Sequence, residues 1–182
     1  MITEQIIGAA VGFIVGIITT WCFWKYMLFL RPNVSISPHV AKELDAEHGQ
    51  AFYRFKIRNN GKRQVINVSL IITLCRLRDV PEGRISSSIR TVLPRKNVSA
   101  LAEYSRGWTP WELPPIYIFV AKIDSNVEEE LDKPNTRMIA TLSVTDAKSG
   151  TTYVQRTTYR KEEVVIGDFI KGLSLEVKQI NS

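Results

Sequence analysis

The stretch FYRFKIRNNG, residues 52–61, decides the fold because its residues alternate in character. The side chains on one side are apolar or aromatic: Tyr53, Phe55 and Ile57. The side chains between them are basic: Arg54, Lys56 and Arg58. Such alternation predicts a half-buried β-strand with an apolar inner face and a basic outer face. Asn60 and Gly61 then predict a turn, because both residue types tolerate positive φ.

Similar strand-like stretches follow along the chain: QVINVSLIITLCRLR (64–78), ISSSIRTVL (85–93), IYIFVAKI (116–123), RMIATLSV (137–144) and TTYVQRTTYR (151–160). In the first of these the predicted buried face is formed by Ile66, Val68, Leu70, Ile72 and Leu74. DAKSG (146–150) predicts a hairpin connection. VAKELDAEHG (40–49) and SNVEEELD (125–132) favour brief helices or loops, and Glu128–Glu130 a solvated loop. The sequence therefore predicts a mainly β fold, an antiparallel immunoglobulin-like sandwich.

Residues near the amino terminus have a different pattern. No charged residue occurs from Gln5 to Trp24, and 20 helical residues cover roughly 30 Å, the thickness of a bilayer core. Bulky residues after the apolar core favour a retained anchor over a cleaved signal peptide. The expected interfacial residues follow: Trp21, Trp24 and Tyr26 as an aromatic belt, with Lys25 and Arg31 beyond it. We predict a transmembrane helix in residues 1–30, spanning about 5–29, and the sandwich in residues 31–182.

The location of the positive charge predicts the orientation. Lys25 and Arg31 follow the span, and basic residues are enriched on the cytoplasmic side of membrane helices. We therefore expect a single-pass protein of the inner (plasma) membrane, with its amino terminus outside and its sandwich in the cytoplasm.

The span also contains a glycine zipper, in which small residues recur at every fourth position: Gly8, Gly12, Gly16 and Thr20. This spacing keeps them on one helix face, here called the glycine face. Glycine costs a helix roughly 1 kcal/mol relative to alanine, yet small residues let helix backbones approach closely in lipid. The pattern predicts self-association, although glycine is also common in membrane helices generally.

The net charge of +6 is unevenly distributed. Residues 53–96 contain eleven basic residues and two acidic ones. We predict an anion-binding surface formed by Arg54, Lys56, Arg58, Lys62, Arg63, Arg76 and Arg78. Its ligand would be an anionic lipid or a nucleotide or oligonucleotide, and a merely solvated basic face is the alternative. Duplex nucleic acid is not expected as a partner, because no stacking aromatics are interleaved with the basic residues.

No sequence motif indicates catalysis. The two histidines and two cysteines form no cluster with metal-ligand spacing, and phosphate-binding, dinucleotide-binding and nucleophile-elbow motifs are absent from the sequence. We expect no enzyme activity, no metal and no cofactor. Cys22 and Cys75 are expected not to pair.

Several stretches resemble the cytosolic domain of inward-rectifier potassium channels. The resemblance covers roughly residues 31–177: Arg31-Pro32 after the membrane helix, SISPHV (35–40), FKIRNNGKRQVINVSL (55–70), TPWELPP (109–115) and YRKEEVVIGDFIKGLSLE (159–176). It implies an immunoglobulin-like sandwich beneath the membrane, a tendency to form tetramers and anion binding by the basic residues. The chain departs from that family in having one membrane helix and no T-V-G-Y-G selectivity filter. The layout is also similar to that of bacterial antiviral membrane effectors, whose soluble domains sense cyclic oligonucleotides.

Three functions remain open from the sequence. The first is a self-associating, channel-like or membrane-disrupting effector whose sandwich senses an anionic ligand. The second is a membrane-anchored binding or scaffold module that recruits a protein partner without forming a pore. The third places the sandwich in a lumen or outside the cell, with glycans on the NVS sites at Asn33, Asn67 and Asn97.

Overall fold

The computed structural model describes residues 2–45, 50–104, 114–123 and 127–179. It divides the chain into two compact units, Met1–Arg31 and Pro32–Ser182. The TPWELPP stretch (109–115), which carries part of the resemblance to the channel family, lies mostly outside the described residues.

The first unit contains one helix, α1 (Ile2–Phe29). Its segment Gln5–Met27 is long and apolar enough to cross a membrane, and none of its most apolar stretch is buried by the protein. Lys25 Nζ lies 5.6 Å from the ring centre of Trp21 and 5.7 Å from that of Trp24, as expected for the predicted interfacial cluster.

The second unit is mainly β, and its described strands form two sheets. Its elements in chain order are β1 (Val34–Ile36), β2 (Val40–Asp45), β3 (Gln50–Asn59), β4 (Val65–Val80), β5 (Gly83–Leu101), β6 (Ile116–Ile123), α2 (Val127–Asp132), β7 (Thr136–Asp146), β8 (Thr152–Tyr159), β9 (Val164–Phe169) and β10 (Val177–Gln179). The prediction of a mainly β fold with one amino-terminal helix is confirmed.

The first sheet is built around β3, the strand of the opening sequence. One edge of β3 pairs with β6, and the other edge pairs with β2 and then with β1. The chain crosses from β1 to β2 at Ser37, whose N–H donates to the Lys56 carbonyl. β9 extends this sheet by pairing with β2, and β10 pairs with β9. Because β9 runs parallel to β2, the expectation of a wholly antiparallel sandwich is wrong at this pair.

The second sheet has the order β5-β4-β7-β8, and all its pairs are antiparallel. Side chains from both sheets form one hydrophobic core, in which Phe55 and Tyr159 contact each other at 5.9 Å between ring centres. The Tyr159 hydroxyl donates to the Ser37 carbonyl at 2.7 Å, and burial raises the pKa of this phenol. The hydrogen bond therefore links β8 to the β1–β2 junction across the core.

Three local predictions are corrected by the structure. Val40–Asp45 is a strand because pairing with β3 and β9 overrides the helical propensity of its Ala, Lys and Glu residues. Glu128–Glu130 lies in the short helix α2 rather than in a loop. In β4, Val68, Leu70, Ile72 and Leu74 are buried as predicted, and Ser69 between the first two is buried as well. Val65 replaces Ile66 in the core, since Asn67 has a φ of 51° and shifts the register.

Candidate functional site

The glycine face of α1 has no packing partner within its own unit. Apart from the helix's own nearby backbone and the adjacent residues, a Cβ atom added at Gly8, Gly12 or Gly16 would meet nothing within 4 Å. The Thr20 hydroxyl donates to the Gly16 carbonyl at 2.8 Å, and Thr19 donates to Val15 in the same way. The helix therefore satisfies its own hydroxyl groups and leaves a smooth apolar surface over the glycines.

Bulky residues surround one part of this face. A shallow apolar groove contains Gly16 and Thr20, with larger side chains beside them: Phe13, Ile17, Trp21 and Trp24. Because glycine has no side chain, the helix backbone is accessible at the floor of this groove. Such a notch is the shape that small residues give to close helix contacts in lipid.

The basic row on β3 has partners in the carboxy-terminal part of the chain. Arg54 forms ion pairs with Glu43 and with Asp168, the latter at 2.9 Å. Lys56 Nζ donates to the carbonyls of Ile170 and Gly172, at 2.9 and 2.7 Å. Arg54 therefore links β3 to β2 and β9, and Lys56 attaches the chain segment after β9 to the outer face of β3.

Arg58 continues the same pattern one step further along the strand. Its Nη1 donates to the Leu173 carbonyl at 2.8 Å, and its Nε donates to Asn60 Oδ1 at 2.5 Å. All three cations of the row thus have protein acceptors.

Lys56 is the main correction to the predicted exposed basic face. Only 1% of this residue is accessible to solvent, and its ammonium lies 5.6 Å from the centre of the Phe169 ring. Burial lowers the pKa of Lys56, with the Asp168 charge opposing that effect and the Arg58 charge adding to it. Lys56 lies on the outer face of β3 as predicted, but the expected solvent exposure is wrong, since Phe169, Ile170 and Gly172 cover it.

The other predicted anion-binding residues do not form one cluster with the β3 row. Arg63 lies 3.6 Å from Asp146, and Arg76 lies 3.5 Å from Glu130. Lys62 and Arg78 are exposed and form no ion pair within the described part of the chain. Anion binding by this set stays a prediction, with most of its cations already bound to acceptors of the protein.

Asp146 organises the β7–β8 hairpin that DAKSG predicted. Its Oδ1 accepts hydrogen bonds from the backbone N–H groups of Lys148 and Ser149, at 3.0 and 2.7 Å. Burial alone would raise its pKa, but the hydrogen bonds from Ser149 and Lys148 and the Arg63 charge together hold the pKa of this carboxyl below its usual range.

A polar cavity of about 280 Å³ lies beside α2, where β7 begins and β8 has just ended. Four basic and two acidic residues line it: Lys133, Arg137, Arg160, Lys161, Asp132 and Glu162. None of these residues belongs to the predicted anion-binding set. The missed signal is the register of the hairpin, because counting back from the Thr145–Thr152 pair places Arg137 opposite Arg160.

The described residues contain no group of three His, Cys, Asp or Glu side chains able to hold a metal ion. Cys22 and Cys75 are both free thiols.

No protein-family model matches the chain, and no curated protein matches it either. Among solved structures, the chain is similar to Spo0M, a sporulation control protein from Bacillus subtilis. The identity is 7%, the TM-score is 0.37, and the match covers 71% of this chain. It covers 48% of Spo0M, so the matched part is about half the length of that protein.

Proposed function

We propose that the chain is a single-pass membrane protein whose copies self-associate through the glycine face, so that the sandwich acts as a clustered binding module. One observation carries the proposal: apart from the helix's own nearby backbone and the adjacent residues, nothing lies within 4 Å of a Cβ added at Gly8, Gly12 or Gly16. Each glycine costs the helix roughly 1 kcal/mol, and a close helix contact between copies would offset that cost.

The hydrogen bonds of the threonines favour a closely packed helix bundle rather than a water-filled pore. Thr19 and Thr20 donate their hydroxyls to carbonyls of their own helix, so neither needs water or a polar partner in the membrane. A bundle with such an interface anchors and gathers the sandwich domains. Our proposal places the sandwich in the cytoplasm of a cell with a plasma or inner membrane, with tetramers as the favoured assembly.

A second candidate function is a channel-like or membrane-disrupting effector that senses an anionic ligand. The observation that favours it is the cavity at Arg137 and Arg160, where basic side chains outnumber acidic ones. Such a site would give the sandwich a trigger even though the β3 row has internal partners.

Replacing α1 by an unrelated dimerising membrane helix separates these functions. A clustered binding module would keep its partner recruitment, whereas an effector would lose dye leakage from cells that express it. A helix that inserts but does not associate provides the control for clustering. If recruitment is equally strong with this monomeric helix, self-association has no functional role and the proposal fails.

A further inference from the structure

We propose that the cavity beside Arg137 and Arg160 binds the phosphate group of a small ligand. This inference supplies the sensing step of the second candidate function, but it rests on the sandwich alone and needs neither self-association nor a pore.

The first argument is the juxtaposition of like charges. Met138 pairs with Tyr159, and the backbone of Arg160 stays extended, with φ −98° and ψ 176°. The register therefore continues for one residue and sets Arg137 opposite Arg160. Like charges in directly opposite positions destabilise a sheet, and a bound anion would reverse that effect.

The second argument is that these two guanidinium groups lack partners. Among the residues that the structure describes, no ion pair involves Arg137 or Arg160, although the Glu163 carboxylate accepts a hydrogen bond from the Arg160 backbone N–H at 2.5 Å. Arg137 is nevertheless half-buried, so its charge is partly shielded from water. By contrast, the β3 cations and Arg76 all have acceptors in the protein.

Most of the other charges around the cavity are paired. Lys161 pairs with Asp132 at 2.5 Å, and Lys133 pairs with Glu130 at 2.5 Å, so these lysines are largely neutralised. Glu162 is then the cavity carboxylate that opposes the two arginines.

Phosphate fits this arrangement better than a carboxylate does. Two planar guanidinium groups can each bind two oxygens of a phosphate, while a carboxylate offers only two oxygens in all. The volume of about 280 Å³ is near the lower end for small-molecule sites, which suits a phosphate monoester or a mononucleotide.

The test is titration calorimetry of the full chain in neutral detergent micelles, at constant ionic strength. The probes are inorganic phosphate and adenosine monophosphate, with phosphatidic acid added to the micelles as a third arm. We expect Arg137→Gln and Arg160→Gln each to weaken binding at least about tenfold, because each removes a charge-assisted contact. Circular dichroism of both variants checks that the fold is retained.

The matched control is Arg156→Gln. Arg156 is an exposed arginine of β8, four residues before Arg160, and does not line the cavity. Its variant should bind within twofold of the unmodified chain. If only the phosphatidic acid arm shows Arg137-dependent binding, the phosphate belongs to a lipid headgroup. The proposal is overturned if no probe binds, or if Arg156→Gln weakens binding as much as the cavity variants do.

Discussion

Gly167 in β9 and the glycines of α1 occupy opposite environments. A Cβ at Gly167 would lie 2.2 Å from the carbonyl oxygen of Lys178, because β10 pairs with β9 at this position. A Cβ at Gly8, Gly12 or Gly16 would touch nothing within 4 Å beyond the helix's own nearby backbone and the adjacent residues. The sandwich itself therefore requires the first glycine, while the helix glycines need an explanation outside their own unit, which a second copy would provide.

The basic residues show the same contrast. Lys56 and its neighbours on β3 bind carbonyls and carboxylates of the protein, whereas Arg137 and Arg160 have no such acceptor among the described residues. A charge or a glycine that has contacts within the fold is expected to contribute to stability. A charge or a glycine without such contacts is a candidate for binding another molecule.

The largest expected effect is that of Gly167→Ala. The added methyl group would overlap the Lys178 backbone, so β10 must move away, at a cost of about 3 kcal/mol in the free energy of unfolding. Chemical denaturation of the full chain in detergent measures this loss. The unfolding is followed by a spectroscopic signal of the β-sheet unit.

Gly150→Ala is the control for that substitution. Gly150 has a φ of 69°, but an added Cβ there has open space, so only the backbone strain of about 1 kcal/mol is expected. Equal losses for the two variants would show that the contact with Lys178 has no energetic role, and the comparison would break.

The next effect concerns Lys56. Lys56→Ala removes a buried stem and leaves the carbonyls of Ile170 and Gly172 without their donor, so we expect a loss of about 2–3 kcal/mol. Lys56→Met keeps the stem and should cost less. Lys62→Met, at an exposed lysine that pairs with no described acidic residue, should stay within about 0.5 kcal/mol. Denaturation by urea ranks the free energies of unfolding of the three variants. If Lys56→Ala leaves this free energy unchanged, the Lys56 amine does not hold the segment after β9.

The smallest effect is the pH dependence from Asp146. Its pKa is lowered in the folded state, so the unfolded chain binds the proton more tightly. The stabilisation is present above pH 3.8, the ordinary value, and is lost as the pH falls through the lower folded value. Asp146→Asn should remove this component of the acid sensitivity while keeping an oxygen acceptor for Lys148 and Ser149. Melting temperatures between about pH 2 and pH 7 measure it, because the loss occurs below pH 3.8, and identical pH profiles for both proteins would contradict the assignment.

Local patterns predicted much of this fold correctly. The alternation around Phe55 defined β3 and its core face, and DAKSG predicted the β7–β8 hairpin, because both signals depend on neighbouring residues. Val40–Asp45 could not be recognised as a strand, since its partners β3 and β9 supply the hydrogen bonds that make it one.

The candidate sites depend on contacts between distant parts of the chain. Lys56 bonds to the carbonyls of Ile170 and Gly172, which follow it in the chain by 114 and 116 positions. Periodicity within one strand cannot reveal such distant contacts. The pair of Arg137 and Arg160 could have been found from the hairpin register, had the charges on its two strands been compared.

Native mass spectrometry of the full chain, released from detergent micelles, tests self-association through the glycine face most directly. We predict an oligomer for the unmodified chain and a monomer for Gly12→Leu, which fills the contact surface with a bulky side chain. Ala10→Leu adds similar bulk about 200° around the helix from Gly12 and should leave the oligomer intact. A monomeric unmodified chain, or an oligomer that Gly12→Leu leaves unchanged, would contradict the account.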